Sequence, residues 1–195
     1  MEITENEMQF VLLVFKSPET EYNANSIAKK LGMSSMGALK IAKRLERENI
    51  ITSKEKGKAR FYNLTLKNEY TKQYIKFLLK REAEQSPNYV KRWVNDLKNI
   101  KNADCGILYG SLLKKGKNAE DIDVLLITDN NKFSKLKKEL EEINEINVKR
   151  LHPMYQTKED IKNNIKKEDK PLLNALKGIV IFGEDALMEV LNEPR

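Results

Sequence analysis

The spacing of apolar residues changes character twice along this chain, and that change limits most strongly what its 195 residues can fold into. From residue 4 to about 67, helical spacing is followed by the alternation typical of a hairpin. Residues 67–101 keep helical spacing and contain no glycine, and from residue 104 onward strand-like and helix-like segments alternate. The sequence therefore predicts an α+β chain of three parts, 1–68, 69–101 and 102–195.

The first part has the signals of three short helices. The second helix, SIAKKL, is predicted to begin at an Asn25 or Ser26 cap and to stop at Gly32. The third is predicted to begin at a Ser34 or Ser35 cap. A hairpin, IITSKEKGKARFYNLT, follows the third helix, with residues 57–58 at its turn.

The predicted third helix has an apolar face and a cationic face. Each set of residues follows the i, i+3, i+4, i+7 spacing of one helix face. The apolar set is Ala38, Ile41, Ala42 and Leu45, and the cationic set is Lys40, Lys43, Arg44 and Arg47. The two sets are offset by two residues, which is about 200° around the helix axis. We therefore expect the cations to point away from the buried side, as in the second helix of a helix-turn-helix, which enters the DNA major groove.

The segment from Ser26 through the hairpin resembles the winged helix-turn-helix domains of bacterial and archaeal transcription regulators. The resemblance covers about a third of the chain. It implies that double-stranded DNA is the partner and, because such regulators are commonly dimers, that the chain forms a homodimer. The residues that it places against DNA are Ser34, Ser35, Lys40, Lys43 and Arg44 of the third helix and Lys56, Lys58 and Arg60 of the wing. A protein-binding or dimerisation module is the alternative for such a domain.

The middle part, 69–101, is predicted to be helical on both sides of a Ser86-Pro87 break. Its first apolar stripe is Tyr70, Tyr74, Phe77, Leu78 and Arg81, and its second is Val90, Trp93, Val94 and Leu97. An apolar stripe indicates burial without naming what covers it. These helices therefore pack onto a flanking domain or form a dimerisation surface.

The last part alternates strands and helices, as expected for an α/β or α+β domain. The predicted strands are CGILY, IDVLLIT, INVKRL and GIVIFG, and the predicted helices lie around residues 133–143, 157–165, 171–177 and 185–191. Thr157, with Asp160 three residues later, is a weak match to a capping box.

The segment LYGSLLKKGKNAEDIDVLLIT has the strongest chemical signal in the chain. Gly110 and Ser111 follow a buried strand and begin a short helix, where a glycine lets a phosphate approach the backbone. Asp121 and Asp123 come ten residues later at the start of a second strand. Residues i and i+2 of a strand point to the same side, and paired carboxylates are ligands that suit Mg²⁺. A D-x-D triplet alone is more typical of a solvated strand face or loop than of a metal site.

With its Gly-Ser turn and spacer, this segment is similar to the minimal nucleotidyltransferases of the DNA polymerase beta superfamily. The resemblance covers about residues 104–191, although only the Gly-Ser and D-x-D motifs are specific. It implies that Gly110 and Ser111 bind the phosphates of a nucleoside triphosphate (NTP). It also implies that Asp121 and Asp123 are catalytic and bind Mg²⁺, with up to two ions about 3.5–4 Å apart. The implied reaction transfers a nucleoside monophosphate from the NTP to an acceptor.

One part of that family pattern is missing. Members of the family normally add a third carboxylate from a later strand, and the predicted strand INVKRL offers Asn147, Lys149 or, after a register slip, Glu145. A protonated lysine cannot ligate Mg²⁺. The sequence therefore leaves two readings open: an active nucleotidyltransferase, or a transcription regulator whose degenerate domain only binds a ligand or partner. His152 is interpreted as a surface or capping residue.

Composition restricts the remaining classes. A single cysteine and a single histidine exclude a Cys/His zinc site and an internal disulfide framework. The start of the chain lacks the features of a secretory signal, and no apolar run reaches the roughly 18 residues of a membrane helix, so a cytoplasmic protein without membrane contact is expected. Residues 26–67 contain eleven Lys and Arg against three Glu, so this segment alone accounts for the formal net charge of +7.

Overall fold

The structure, a computed structural model, describes residues 2–192. These residues form two compact units that divide after Leu78. Helices and two small sheets make the chain α+β. The boundary falls inside a long helix, so the helices of the predicted segment 69–101 are shared between two units. Nowhere in residues 2–192 is a helix both long and apolar enough to span a bilayer.

The first unit consists of three helices, a small sheet and the beginning of a fourth helix. In chain order its elements are α1 (Glu5–Lys16), β1 (Tyr22–Asn23), α2 (Ala24–Leu31), α3 (Ser35–Arg47), β2 (Ile51–Lys56), β3 (Ala59–Leu64) and the first part of α4 (Glu69–Gln85). Strand β3 lies between β1 and β2 and is antiparallel to both. The predicted hairpin and its turn at residues 57–58 are confirmed.

The ends of α2 and α3 follow local hydrogen bonding. Helix α2 is capped by Asn23, whose side chain accepts from the Ser26 N–H at 2.9 Å while Ser26 Oγ accepts from the Asn23 N–H at 2.9 Å. The predicted cap at Asn25 or Ser26 is therefore wrong, because Asn23 keeps the extended backbone of β1 and Ser26 serves the third helical position instead. The predicted stop at Gly32, with φ 68°, and the predicted cap Ser34 are confirmed.

The buried face of α4 agrees with the predicted stripe only in part, since Leu78 of that stripe is fully buried. Tyr70 and Phe77 of that stripe are 55% and 51% exposed, whereas Thr71 and Ile75 are fully buried. The Thr71 hydroxyl donates to the carbonyl of Asn49 at 3.2 Å, so this face of the helix is held against the first unit. Apolar residues occur on two faces of α4, and spacing alone cannot choose between them.

The second unit contains a four-stranded mixed sheet. After the end of α4 its elements are α5 (Asn88–Leu97), β4 (Cys105–Tyr109), α6 (Ser111–Lys115), a single 3₁₀ turn (Gly116–Asn118), β5 (Ile122–Ile127), α7 (Phe133–Ile146), β6 (Leu151–Gln156), α8 (Lys158–Lys166), α9 (Lys170–Leu176), β7 (Ile179–Phe182) and α10 (Glu184–Leu191). The strand order is β6-β5-β4-β7. Strand β5 is parallel to β6 and antiparallel to β4, which is antiparallel to β7.

The second helix of the predicted middle part belongs to the core of this unit. Val90, Trp93 and Leu97 of α5 are buried in one cluster with residues of the sheet and of α7. The cluster includes Leu108, Val124, Leu126, Leu136 and Leu140. The predicted apolar stripe of α5 is thus buried within the unit, as expected for a helix that packs onto a flanking domain.

The predicted capping box at Thr157 and Asp160, at the start of α8, is also confirmed.

The third strand of this sheet begins five residues later than predicted. Helix α7 continues to Ile146, Val148 is fully exposed, and β6 begins only at Leu151, which is buried. The letters INVKRL alternate as a strand would, but their first residue still belongs to the helix. Pro153 lies inside β6, which is tolerated because β6 is an edge strand with one unpaired side. The parallel register places His152 opposite Asp123.

Candidate functional site

Two carboxylates meet an imidazole at one end of the sheet. Asp121 directly precedes β5 and Asp123 is its second residue, while His152 is the second residue of the adjacent strand β6. One potential ligand atom from each side chain lies within 4.8 Å of the other two. The sequence placed Asp121 and Asp123 on one side of a strand, and the structure brings them together there.

Gly110 shapes the floor of this cluster. It follows β4 with φ 78° and ψ −143°, a backbone conformation that is essentially restricted to glycine. A Cβ atom at this position would lie 1.9 Å from Oδ2 of Asp123. The N–H of Ser111 donates to the same oxygen at 3.4 Å. Glycine is therefore needed both for the turn and for the close approach of the Asp123 carboxylate.

Two further polar groups border the cluster. The hydroxyl oxygen of Ser111 is buried and has no hydrogen-bond partner among the described residues. Tyr109 lies opposite Asp123 in the β4–β5 ladder, and burial, together with the negative charge of Asp123, raises the pKa of its phenol. Tyr109 thus stays protonated at neutral pH and adds no negative charge at this end of the sheet.

His152 lies beside Asp123 on β6, the strand after the one that carries Asp123 in the chain. Its Nδ1 lies 3.4 Å from Oδ1 of Asp123, and its side chain is 77% exposed. The interpretation of His152 as a surface residue agrees with this exposure, but its contact with Asp123 was not foreseen. The signal that could have revealed it is Leu151, the first buried residue after α7, because a strand that starts there pairs His152 with Asp123.

None of the three residues considered for the third acid joins the cluster. The Lys149 ammonium donates to the carbonyls of Lys117 and Ala119, each at 2.5 Å. The Asn147 amide donates to the carbonyl of Ile143 at 3.0 Å, and Glu145 is an exposed residue of α7. Because β6 begins after all of them, their side chains serve the preceding loop and helix.

This arrangement fits a divalent cation. Ligand atoms about 2.0–2.2 Å from one ion lie about 2.8–3.6 Å apart when they subtend octahedral or tetrahedral angles. The 3.4 Å between His152 and Asp123 has that size. The carboxylates of Asp121 and Asp123, which have ligand atoms within 4.8 Å of each other, also repel one another unless a cation is present.

Alanine at Gly110 should disturb Asp123 in particular. We expect Gly110→Ala to lower the free energy of local opening of β4 and β5 by about 2 kcal/mol, from backbone strain and the collision with the carboxylate. Amide hydrogen exchange of these strands measures the effect. Gly57→Ala, measured on the amides of β2 and β3, is the matched control, because Gly57 has φ 63° but open space around its Cβ position. Equal losses in the two variants would show that the collision is unimportant.

A second candidate site lies on α3. Lys40, Lys43 and Arg47 are exposed and line a shallow depression together with Glu46. We call Lys40, Lys43 and Arg47 the cationic surface. It has the outward orientation expected from the sequence. Ser34 and Ser35 are exposed at the start of the same helix, where Ser34 Oγ accepts from the Gly37 N–H at 3.0 Å.

Arg44 does not share that orientation. Its guanidinium lies 2.7 Å from the carboxylate of Glu7 and 3.1 Å from that of Glu48, and its side chain is only 20% exposed. Burial disfavours its charge, but the hydrogen bond with Glu48 and the charge of Glu7 outweigh burial and raise its pKa. Arg44, which was expected to face DNA, is thus engaged by two carboxylates of its own chain, because a buried carboxylate needs a cation and α1 brings Glu7 against α3.

The cations of the hairpin differ in their partners. Lys56 lies 2.5 Å from Glu21 and Arg60 lies 3.1 Å from Glu55, whereas Lys58 is exposed at the turn. Exposed ion pairs of this kind contribute little to stability. Lys56 can therefore release Glu21, and Arg60 can release Glu55, to bind another anion at little cost in stability.

Sequence reasoning missed Glu7. Its side chain is 2% exposed, accepts a hydrogen bond from the Tyr74 hydroxyl and pairs with Arg44, joining α1, α3 and α4. Burial, followed by the hydrogen bond to Glu7, raises the pKa of Tyr74. The available signal is the position of Glu7 four residues before Val11, which is on the buried side of the helix.

No protein-family model matches this chain, and neither a curated protein nor a solved structure matches it.

Proposed function

We propose that this chain is a DNA-binding protein with a nucleotidyltransferase domain. The first unit acts as a winged helix-turn-helix that binds double-stranded DNA. The second unit transfers a nucleoside monophosphate from an NTP to an acceptor with the help of Mg²⁺. The single observation that supports the enzyme most strongly is the convergence of Asp121 and Asp123 beside the Gly110-Ser111 turn.

The first unit supports DNA binding through its order of elements and its charges. Two helices joined by a short turn precede a hairpin, and the cationic surface lies on the second of these helices. Lys and Arg contacts with phosphates supply most of the affinity of such proteins and make it dependent on salt. Because Arg44 is paired with Glu7, the exposed residues Lys40, Lys43 and Arg47 carry this role on α3.

Reversing two charges on the cationic surface tests DNA binding. We expect Lys40→Glu combined with Lys43→Glu to weaken duplex affinity about 100-fold at low salt. The plot of log K against log salt concentration should become shallower by about 2, since two phosphate contacts are lost. Fluorescence anisotropy with labelled duplexes at several salt concentrations measures both quantities.

The control for this experiment is Lys135→Glu combined with Lys138→Glu. These lysines have the same i, i+3 spacing and are exposed on α7 of the second unit. They should leave duplex affinity nearly unchanged. Equal weakening by both pairs of substitutions would mean that overall charge, not the cationic surface, attracts DNA.

The second unit supports nucleotidyl transfer through the residues around Asp123. Asp121 and Asp123 would hold the cation, which neutralises charge on the triphosphate and positions the α-phosphate for attack. Gly110 leaves room beside Asp123, and the unpartnered hydroxyl of Ser111 can donate to a phosphate oxygen. The protonated Tyr109 adds no further negative charge at this end of the sheet.

Label transfer tests the enzyme directly. The untagged full chain would be incubated with Mg²⁺ and each NTP labelled at the α-phosphate. Three classes of acceptor are offered: small hydroxylated molecules, protein side chains and nucleic-acid ends. We expect label on one acceptor and stoichiometric pyrophosphate, both abolished by a chelator. Neither label transfer nor pyrophosphate with any acceptor would contradict the proposal.

The alternative is a transcription regulator whose second unit only binds a ligand or partner. Among the described residues the cluster contains two carboxylates and an imidazole, not three carboxylates, and this observation favours the alternative. It predicts that an NTP binds in a calorimeter with Mg²⁺ but is recovered intact, and that its binding changes duplex affinity.

A further inference from the structure

The residue beside Asp123 has a different ligand chemistry from the carboxylate that a magnesium site would use. His152 faces Asp123 across the parallel β5–β6 pair, with 3.4 Å between Nδ1 and Oδ1. Mg²⁺ prefers oxygen ligands and binds imidazole poorly, whereas Fe²⁺, Ni²⁺ and Zn²⁺ accept it readily. An imidazole ligand in this position would therefore favour the binding of transition ions over the binding of Mg²⁺.

We propose that His152 is the third ligand of the Asp121-Asp123 cation site and makes this site prefer a first-row transition ion to Mg²⁺. The inference rests on the proposed function only in placing a cation at this cluster. It concerns which ion binds, not whether a nucleotide is transferred.

Two observations place His152 within reach of such an ion. Its potential ligand atom and those of both aspartates lie within 4.8 Å of one another. Its side chain is 77% exposed, so the ring can turn toward an ion that enters from solution. The Ser111 hydroxyl, which is buried without a hydrogen-bond partner in the described part of the chain, is a further polar group at this end of the sheet that a bound ion or its water could satisfy.

The start of β6 also decides which residue of this strand lies opposite Asp123. Chain positions before Leu151 are in α7 or the loop, so the first side chain of β6 that points toward Asp123 is that of His152. An aspartate there would give three carboxylates and a charge that suits Mg²⁺. The imidazole lowers the negative charge of the site by one and supplies a nitrogen ligand instead.

The chain contains one histidine, which gives an unambiguous spectroscopic test. The untagged full chain would be labelled with ¹⁵N-histidine and titrated with Zn²⁺ and, separately, with Mg²⁺. We expect Zn²⁺ to shift the imidazole ¹⁵N signals of His152 and Mg²⁺ to leave them nearly unchanged. Imidazole signals that do not respond to Zn²⁺ would overturn the proposal.

Affinities measured by calorimetry without nucleotide complete the test. We expect His152→Ala to weaken Zn²⁺ binding at least tenfold. His152→Asp should bring the Zn²⁺ and Mg²⁺ affinities at least tenfold closer together. If both His152 variants bind Zn²⁺ as tightly as wild type while Asp123→Asn abolishes Zn²⁺ binding, His152 is not a ligand. The cation site at the two aspartates would still be supported by that result. No binding of any divalent ion to the wild-type chain would contradict both. Nucleotidyl transfer is assayed in a separate experiment, so a chain that transfers no nucleotide still gives a valid test of the preference for Zn²⁺ over Mg²⁺.

Discussion

Asparagine in place of Asp123 should reduce divalent-ion binding and nucleotidyl transfer at least about 100-fold while the fold stays intact. Loss of a residue that only supports a metal ligand costs about 10–100-fold, and Asp123 is assigned as a ligand itself. The side chain is central to the cluster, since it contacts His152, receives the Ser111 N–H and lies against Gly110. Asparagine keeps its shape and one oxygen but removes its charge.

Asp129→Asn is the matched control for that substitution. Asp129 follows β5 at its opposite end and is exposed. Calorimetry with Zn²⁺ and Mg²⁺, α-phosphate label transfer and circular dichroism should all give wild-type values for this control. Asp123→Asn protein that is folded and still binds ions as tightly as wild type would show that the cluster is not a cation site.

Removal of the Glu7 carboxylate should destabilise the first unit by about 3 kcal/mol. The Glu7→Ala substitution leaves Arg44 without its buried partner and the Tyr74 hydroxyl without its acceptor, and removing one member of a buried ion pair costs about 3–5 kcal/mol. The lower end applies because Arg44 is 20% exposed and keeps Glu48. Hydrogen exchange of the α3 amides measures the loss.

Two other substitutions separate charge from hydrogen bonding at this position. Glu7→Gln can still accept from Tyr74 but lacks the charge, so its loss should be intermediate. Glu5→Ala, on an exposed part of the same helix, should change the opening of α3 by less than about 1 kcal/mol. A Glu7→Ala variant as stable as Glu5→Ala would show that the Glu7 ion pair makes no net contribution.

Local signals predicted the parts of the fold where one segment determines its own structure. The cap at Ser34, the stop at Gly32 and the hairpin turn at residues 57–58 depend on side chains and backbone preferences within a few residues, and all three are confirmed. The outward direction of Lys40 and Lys43 also follows from helical spacing alone.

Long-range contacts decided the positions where prediction and structure differ. Thr71 is on the buried face of α4 and Tyr70 is not, because the Thr71 hydroxyl donates to the carbonyl of Asn49, which is 22 residues away in the sequence. Arg44 turns inward because Glu7, in another helix, is buried beside it. Strand β6 begins at Leu151 because its pairing with β5 begins there. The residue pattern within INVKRL contains no information about this pairing.

The sequence by itself determined an α+β chain with a cationic helix near one end and a Gly-Ser turn ten residues before two aspartates. These features depend on spacing along the backbone, where strand and helix periodicity is enough to place a side chain. Only the tertiary structure decided that an imidazole faces Asp123 and that Arg44 pairs with the buried Glu7. Both are pairings between segments distant in sequence, which arise when the strands and helices pack and their buried charges find partners.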